Sequence, residues 1–248
     1  MKAVILAGGS GTRLQPLTLA TNKHLLPVYD KPVIYYAIEK LVEAGISKIM
    51  LVTGPAHIDA FVRLLGSGER FVPTKGTAKQ IQIVYGVQNE PNGIGYGLYI
   101  AKEYVGGDDC VLYLGDNIFM DDLAPAIQGF TGGATVFLKE VPDPERFGVA
   151  TVDEAGVVSA IDEKPAKPAS NLAVAGVYLY DSSVFKKMIG QPKSARGEYE
   201  ITYLNNRYIE EGALTAHRLT REWFDIGTVE SLREASEFMR KRALHEKT

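Results

Sequence analysis

Several groups of residues in this sequence have types and spacings suited to holding phosphate. The densest is Gly8-Gly9-Ser10-Gly11-Thr12-Arg13-Leu14, with Pro16 close behind. Glycines let a backbone approach an anion closely and point several N–H groups at its oxygens. Arg13 adds a delocalised cation with a planar donor fork. The segment has no GK[ST] ending and so is not a P-loop. It also misses G-x-G-x-x-G, because Leu14 stands at the third glycine position. A tight turn carrying a surface arginine would use the same glycines. Arg13 at the C-terminal mouth of the first strand, where open α/β sheets bind ligands, favours the anion site.

Lys23 is the second cation, just ahead of the apolar turn Leu25-Leu26-Pro27-Val28 and of Lys31-Pro32. A lone lysine is usually solvated, but one braced by such a turn can be fixed. Fixed cations matter when phosphates meet: each pair of like unit charges about 4 Å apart costs roughly 4 kcal/mol at an effective dielectric of about 20. Gly115-Asp116-Asn117 follows the apolar run CVLYL. A carboxylate at the carboxyl end of a central strand lies at the ligand edge of a sheet. Its natural partner is Mg²⁺, which takes one or two carboxylates plus phosphate oxygens and water. A turn-starting Asp is the plainer reading.

Asp225, in Trp223-Phe224-Asp225-Ile226-Gly227-Thr228, is a second candidate carboxylate or an ordinary turn residue. Glu163-Lys164-Pro165 offers a hydroxyl acceptor and a cation, Gly148 a place for close backbone approach, and Arg196 a further phosphate ligand. Each alone would pass for a solvated loop. Gln88 and Gly93 complete the set, since a glutamine amide can accept from the N3–H and donate to a carbonyl of a uracil-type base.

These residues need a scaffold that gathers them. Residues 2–7 form a continuous apolar run into Gly8-Gly9, the pattern of a strand buried on both faces. Strands are also predicted at 48–53, 80–85 and 110–114, with helices at 32–44, 57–65 and 97–105. This order predicts an α/β fold: a doubly wound, mostly parallel, Rossmann-like sheet with right-handed crossovers. Strands at 134–140, 147–153, 157–162 and 173–180 are expected to add a mixed-strand subdomain. Helices are predicted at 182–189, 200–211 and about 228–243. Without repeats or a linker, the chain reads as one domain. Its parts are about 1–130, about 131–227 and a C-terminal helical segment 228–248.

Composition narrows the classes. Apolar residues are 46% and charged residues 23%, so a packed core is expected. The net charge of −3 lacks the basic excess of a nucleic-acid binder. The one cysteine, Cys110, sits in an apolar run and reads as core, and no Cys/His cluster has zinc-ligand spacing. No apolar run nears the roughly 20 residues of a membrane span, and the N-terminal run is short for a secretory signal. The expectation is a cytoplasmic protein with small-molecule partners, bound to neither membrane nor nucleic acid, and assembled as a homo-oligomer. Tyr35 and Tyr36 would serve such an interface or the core.

The pieces occur in the order GGSGTRLxP, KxLLPVxxKP, GDN, FGV, EKP, RGExEIT and WFDxGT. Together they resemble the sugar nucleotidylyltransferases, most closely the glucose-1-phosphate thymidylyltransferases, from residue 2 to about 240. The resemblance implies a nucleotidyltransferase fold whose second part binds sugar, and Mg²⁺ as cofactor held by Asp116 and Asp225. It places Leu6, Gly8, Gly9, Gly11, Thr12 and Arg13 on the nucleotide, with Gln88 and Gly93 reading the base and Asp116 beside the phosphates. Arg13 and Lys23 would act on the triphosphate and the leaving pyrophosphate. Gly148, Glu163 and Val174 would line the sugar pocket, and Lys164 and Arg196 would meet the sugar phosphate. Arg13, Lys23, Asp116 and Lys164 form the implied catalytic set.

Three positions depart from the family pattern: His24 for Gln, Ile94-Gly95-Tyr96-Gly97 for Leu-Ala-Gln-Ala, and Tyr203 for Asp. The sequence is also expected to be a short form without the further C-terminal segment linked to allosteric control.

The reaction implied is transfer of a nucleotidyl group from dTTP to glucose 1-phosphate. The sugar phosphate is already an anion at neutral pH, so no general base is needed. Rival readings are the same chemistry with UTP or another hexose 1-phosphate, a non-catalytic sugar-nucleotide-binding regulator, and a dinucleotide-dependent oxidoreductase. The incomplete G-x-G-x-x-G speaks against the last.

Overall fold

The run Lys2–Ala7 forms strand β1, and the paired turn Pro27–Val28 and Lys31–Pro32 forms β2 and β3. Helix α1 (Val33–Glu43), β4 (Lys48–Thr53), α2 (Ile58–Leu65) and β5 (Gln82–Val87) follow. After them come α3 (Ile94–Ile100), α4 (Lys102–Val105), β6 (Cys110–Leu114), β7 (Asn117–Phe119) and α5 (Ala124–Gln128). The second half comprises β8 (Ala134–Glu140), β9 (Gly148–Val152), β10 (Val158–Glu163), β11 (Leu172–Tyr180), α6 (Val184–Lys187), α7 (Ile201–Glu210), β12 (Leu214–Arg218), β13 (Trp223–Asp225) and α8 (Val229–His245). The structure is a computed structural model that describes residues 1–72, 80–154 and 156–245; the end of the expected C-terminal segment, 246–248, lies outside the described residues.

One nine-stranded sheet runs in the order β10-β9-β11-β6-β1-β4-β5, with β8 also pairing β11 and β12 pairing β8. β6, β1, β4 and β5 are parallel. β11 joins them antiparallel, and β8, β9 and β10 extend the mixed half. Alternation sorts each central strand between two cores. Ile5, Leu51 and Tyr113 face α1, α2 and α5. Val4, Val52 and Leu112 face α3, α4, α6 and α7. Helices therefore cover both faces, as a doubly wound sheet requires. Each fully buried Ile, Leu or Phe here contributes roughly 1.5–3 kcal/mol. A smaller core, built from Val28, Val33, Tyr36, Ile118, Ile226 and Ala235, packs α8 onto β2 and the β7–β13 ribbon.

The structure departs from sequence expectation at several elements. The helix expected over 97–105 begins at Ile94 and breaks at Ala101, whose N–H tightens back to the Leu98 carbonyl at 3.0 Å. The helix expected at 182–189 shrinks to Val184–Lys187, because Asp181 holds both the backbone and the hydroxyl of Ser183 in a turn. β7, β12 and β13 had no strand signal: each is short, and β12 is a largely exposed edge strand. Tyr36 is core, with its hydroxyl donating to the Val28 carbonyl at 2.7 Å, and Tyr35 packs edge-on against Phe71. Among the described residues no helix is long and apolar enough to cross a membrane.

Candidate functional site

Parallel register sets the location. Ala7 pairs with Thr53, Leu6 with Leu114, and Thr53 with Val87, so the strands end in a row. Gly8, Gln88 and Gly115 follow at one edge, the ligand edge of an open α/β sheet. Leu6 holds the edge together by accepting from the Gly115 N–H at 2.9 Å. The glycine loop then turns through Gly11, whose φ of +62° suits glycine. A methyl there would also stand 2.8 Å from Thr18. That turn starts a short 3₁₀ helix, Thr12–Leu14, which buries Leu14 and leaves Thr12 and Arg13 exposed. The Arg13 guanidinium lies over Gly227, beside Asp225: a methyl on Gly227 would sit 2.9 Å from Arg13 Nη2 and 3.0 Å from Asp225 Oδ2.

Asp116 and Asp225 come together through strand pairing. β7 and β13 form an antiparallel ribbon in which Asp225 faces Asn117. The Ile226 N–H also donates to the Asp116 carbonyl at 2.8 Å. Asn117 Nδ2 reaches both carboxylates, 2.9 Å from Asp116 Oδ1 and 3.4 Å from Asp225 Oδ1. Its Oδ1 accepts from Gly176 N at 3.1 Å and Trp223 Nε1 at 2.7 Å, which fixes the amide's orientation. A methyl at Gly176 would stand 2.5 Å from that oxygen, so only glycine lets β11 approach so closely.

The two carboxyls differ in character. Burial opposes ionisation of Asp116, but the adjacent Lys23 ammonium outweighs it and holds the group at about 2. Burial, and then the Asp116 charge, push Asp225 up to about 6, against the pull of Lys23, Arg146 and Arg13.

Lys23 pairs directly with Asp116. His24 is buried beneath the same turn and bonded to Asn22, whose Nδ2 donates to the Ala7 carbonyl at 3.2 Å. Burial and the neighbouring Lys23 charge lower its imidazole to about 3, so it is a neutral brace. Among the described residues no three His, Cys, Asp or Glu side chains form a ready metal cage. Two facing carboxylates at a phosphate-handling edge do fit a hard ion such as Mg²⁺, which takes its other oxygens from phosphates and water.

A cavity opens beside this pair, lined by Arg13, Arg146, Gly148, Glu163, Lys164, Val174, Tyr178, Thr202 and Asp225, among others. Glu163 accepts from the Thr202 hydroxyl and, at 3.0 Å, from Arg196 Nη2. Lys164, with a φ of +45°, is half-exposed and lies 3.8 Å from Glu163. Arg196 is not among the cavity-lining residues. It is gripped instead by Glu163, Glu198 and Glu200. Gln88 and Gly93 are not among the cavity-lining residues. Gln88 Oε1 stands 3.5 Å from where a Gly8 methyl would be, and the Gly93 loop is tied to Tyr199 by the bonds of Asn92 and Gly95.

Sequence reasoning missed Arg146, Asn117, Tyr178 and Thr202. Arg146 stands 3.8 Å from Asp225. Its signal was available, directly before Phe147-Gly148. Asn117 and Thr202 lay inside quoted motifs without assigned work. Tyr178 looked like one more apolar strand residue.

Clustered cations and a carboxylate pair at the edge of an open α/β sheet form a site suited to binding phosphate. The nucleotidyl transferase family model matches residues 2–242. A glucose-1-phosphate thymidylyltransferase of Mycolicibacterium smegmatis is 43% identical over 245 residues, 97% of this chain and 82% of that protein. That of Neisseria meningitidis serogroup A is 44% identical, over 96% and 82%. A crystal structure from Bacillus anthracis, described as that of a glucose-1-phosphate thymidylyltransferase in complex with a sucrose, superposes with a TM-score of 0.89 at 45% identity, covering 97% of this chain and 95% of that one. A UDP-glucose pyrophosphorylase complexed with UDP-glucose gives 0.83 at 25% identity, covering 97% and 98%. The chain belongs to the nucleotidyl transferase family.

Proposed function

We propose that the chain transfers a thymidylyl group from dTTP to glucose 1-phosphate, releasing pyrophosphate. The observation that carries this reading is the Asp116–Asn117–Asp225 cluster, with Lys23, Arg13 and Arg146 around it and the Glu163 cavity alongside. The names of the relatives support the choice of substrates.

A phosphate oxygen of the sugar 1-phosphate attacks the α-phosphorus of the triphosphate in line. The new P–O bond forms as the bond to the β-phosphate oxygen breaks, and the electron pair leaves with pyrophosphate. No proton need move, because the nucleophile is already ionised. The residues work by positioning and by meeting charge. Gly8, Gly9, Gly11 and Thr12 present backbone to the triphosphate, with Leu6 beneath. Arg13 and Lys23 face the departing charge. Gln88 reads the base beside Gly93. Gly148, Glu163 and Val174 hold the sugar, and Lys164 and Arg196 take its phosphate. Arg196 reaches that phosphate only by exchanging part of its carboxylate cage. Asp116 and Asp225 would hold Mg²⁺, which when bound neutralises phosphate charge between the two substrates.

The test is a matrix of triphosphates against hexose 1-phosphates, read by pyrophosphate release with Mg²⁺ present. The expected result is highest kcat/KM for dTTP with glucose 1-phosphate and slower use of UTP. One methyl in a pocket is worth only about 1–3 kcal/mol, or roughly 10–100-fold. Equal use of GTP, or binding without turnover, would overturn the reading.

A further inference from the structure

Asn205 lies on α7, one turn after Thr202, at the wall of the cavity described above. It is only 1% exposed. Its Oδ1 accepts from the fully buried Tyr180 hydroxyl at 2.6 Å. Its Nδ2 is buried and finds no hydrogen-bond partner among the described residues. Reversing the amide would leave both Oδ1 and the Tyr180 hydroxyl proton unpaired, so the amide is fixed with its N–H pair spare.

A buried donor without a partner is costly and rare in native interiors. Its neighbours on α7 are already committed. The Thr202 hydroxyl donates to Glu163, and the Asn206 amide clamps both the N–H and the carbonyl of Ile161. With its carbonyl arm turned to Tyr180, Asn205 keeps only its N–H arm for the cavity it lines. Ile201, one turn back on α7, and Tyr178, stacked on Tyr180 at 6.1 Å, line the same cavity. A neutral donor suits a sugar hydroxyl, whereas the cations of that lining, Arg13, Arg146 and Lys164, suit a phosphate.

We propose that Asn205 is a specificity-determining residue that donates a hydrogen bond to one hydroxyl of the hexose ring. This rests on the sugar-phosphate reading above. A site built to bond a hydroxyl discriminates sharply against the analogue that lacks it, because the protein group is then left unpaired.

The experiment compares glucose 1-phosphate with its 2-, 3-, 4- and 6-deoxy analogues, in the wild type and in Asn205→Leu and Asn205→Ala. Two variants guard against one that fails to fold. In the wild type one analogue should lose about 10–100-fold in kcat/KM. In the variants glucose 1-phosphate should fall by that same factor, while the matching analogue changes less than about threefold and the other analogues fall with glucose. Parallel slowing of every sugar would mean a merely structural role and overturn the assignment. Absence of turnover with any hexose 1-phosphate in the wild type would instead remove the functional reading, and Asn205 with it.

Discussion

Asp225 is the most consequential single residue, because its environment opposes its charge. Its folded value of about 6 lies above the ordinary 3.8, so the folded chain holds the proton more tightly than the unfolded chain. As pH rises from about 4 to about 6, this group takes stability away, and the loss persists above. Asp116 runs the other way: lowered to about 2, it adds stability as pH rises from about 2 to about 4. In EDTA, Asp225→Asn should therefore be more stable than wild type at pH 8 by up to about 3 kcal/mol, and by only about half as much at pH 5. Urea melts at the two pH values check this, and a gap unchanged between them would refute it. Turnover should be lost in the same variant, so the residue exchanges stability for chemistry.

At the scale of elements, the β7–β13 ribbon and β11 meet at one point of contact. Gly176 lets β11 lie against Asn117, and Asn117 sets both carboxylates. Gly176→Ala places a methyl 2.5 Å from Asn117 Oδ1 and forces the amide to move. Overpacking of this kind costs about 1–3 kcal/mol. The distinctive effect should be on rate, with kcat falling at least about tenfold at a temperature where circular dichroism shows the variant fully folded. A normal kcat would mean that Asn117 does not position the pair.

The ribbon also shows where sequence reading reaches its limit. The parallel strands were legible because they are buried on both faces and read as unbroken apolar runs. Asp116 and Asp225 were legible as candidates by type and position. Their meeting was not, since strands as short as Asn117–Phe119 and Trp223–Asp225 carry no periodicity and exist only through each other. Likewise Arg196 could be named from its motif, but not the three carboxylates that hold it.

Across the whole molecule, the central strands form the most deeply buried layer, and Cys110 marks it. It is fully buried in β6 and its thiol is pushed up to about 12 by burial. A thiol reagent should leave the native protein unmodified and label it at the rate of global unfolding, slower still with dTTP and Mg²⁺ bound. Rapid labelling of the folded chain would show that the sheet opens locally there. The sole tryptophan, Trp223, reports on a different place. Its indole N–H bonds the same Asn117 oxygen whose amide spans the two carboxylates. The molecule thus carries its own optical probe. Emission from that ring is expected to follow the charge state and occupancy of the acidic pair two bonds of the network away, with no dye or label introduced, and a spectrum unchanged by added Mg²⁺ would refute this.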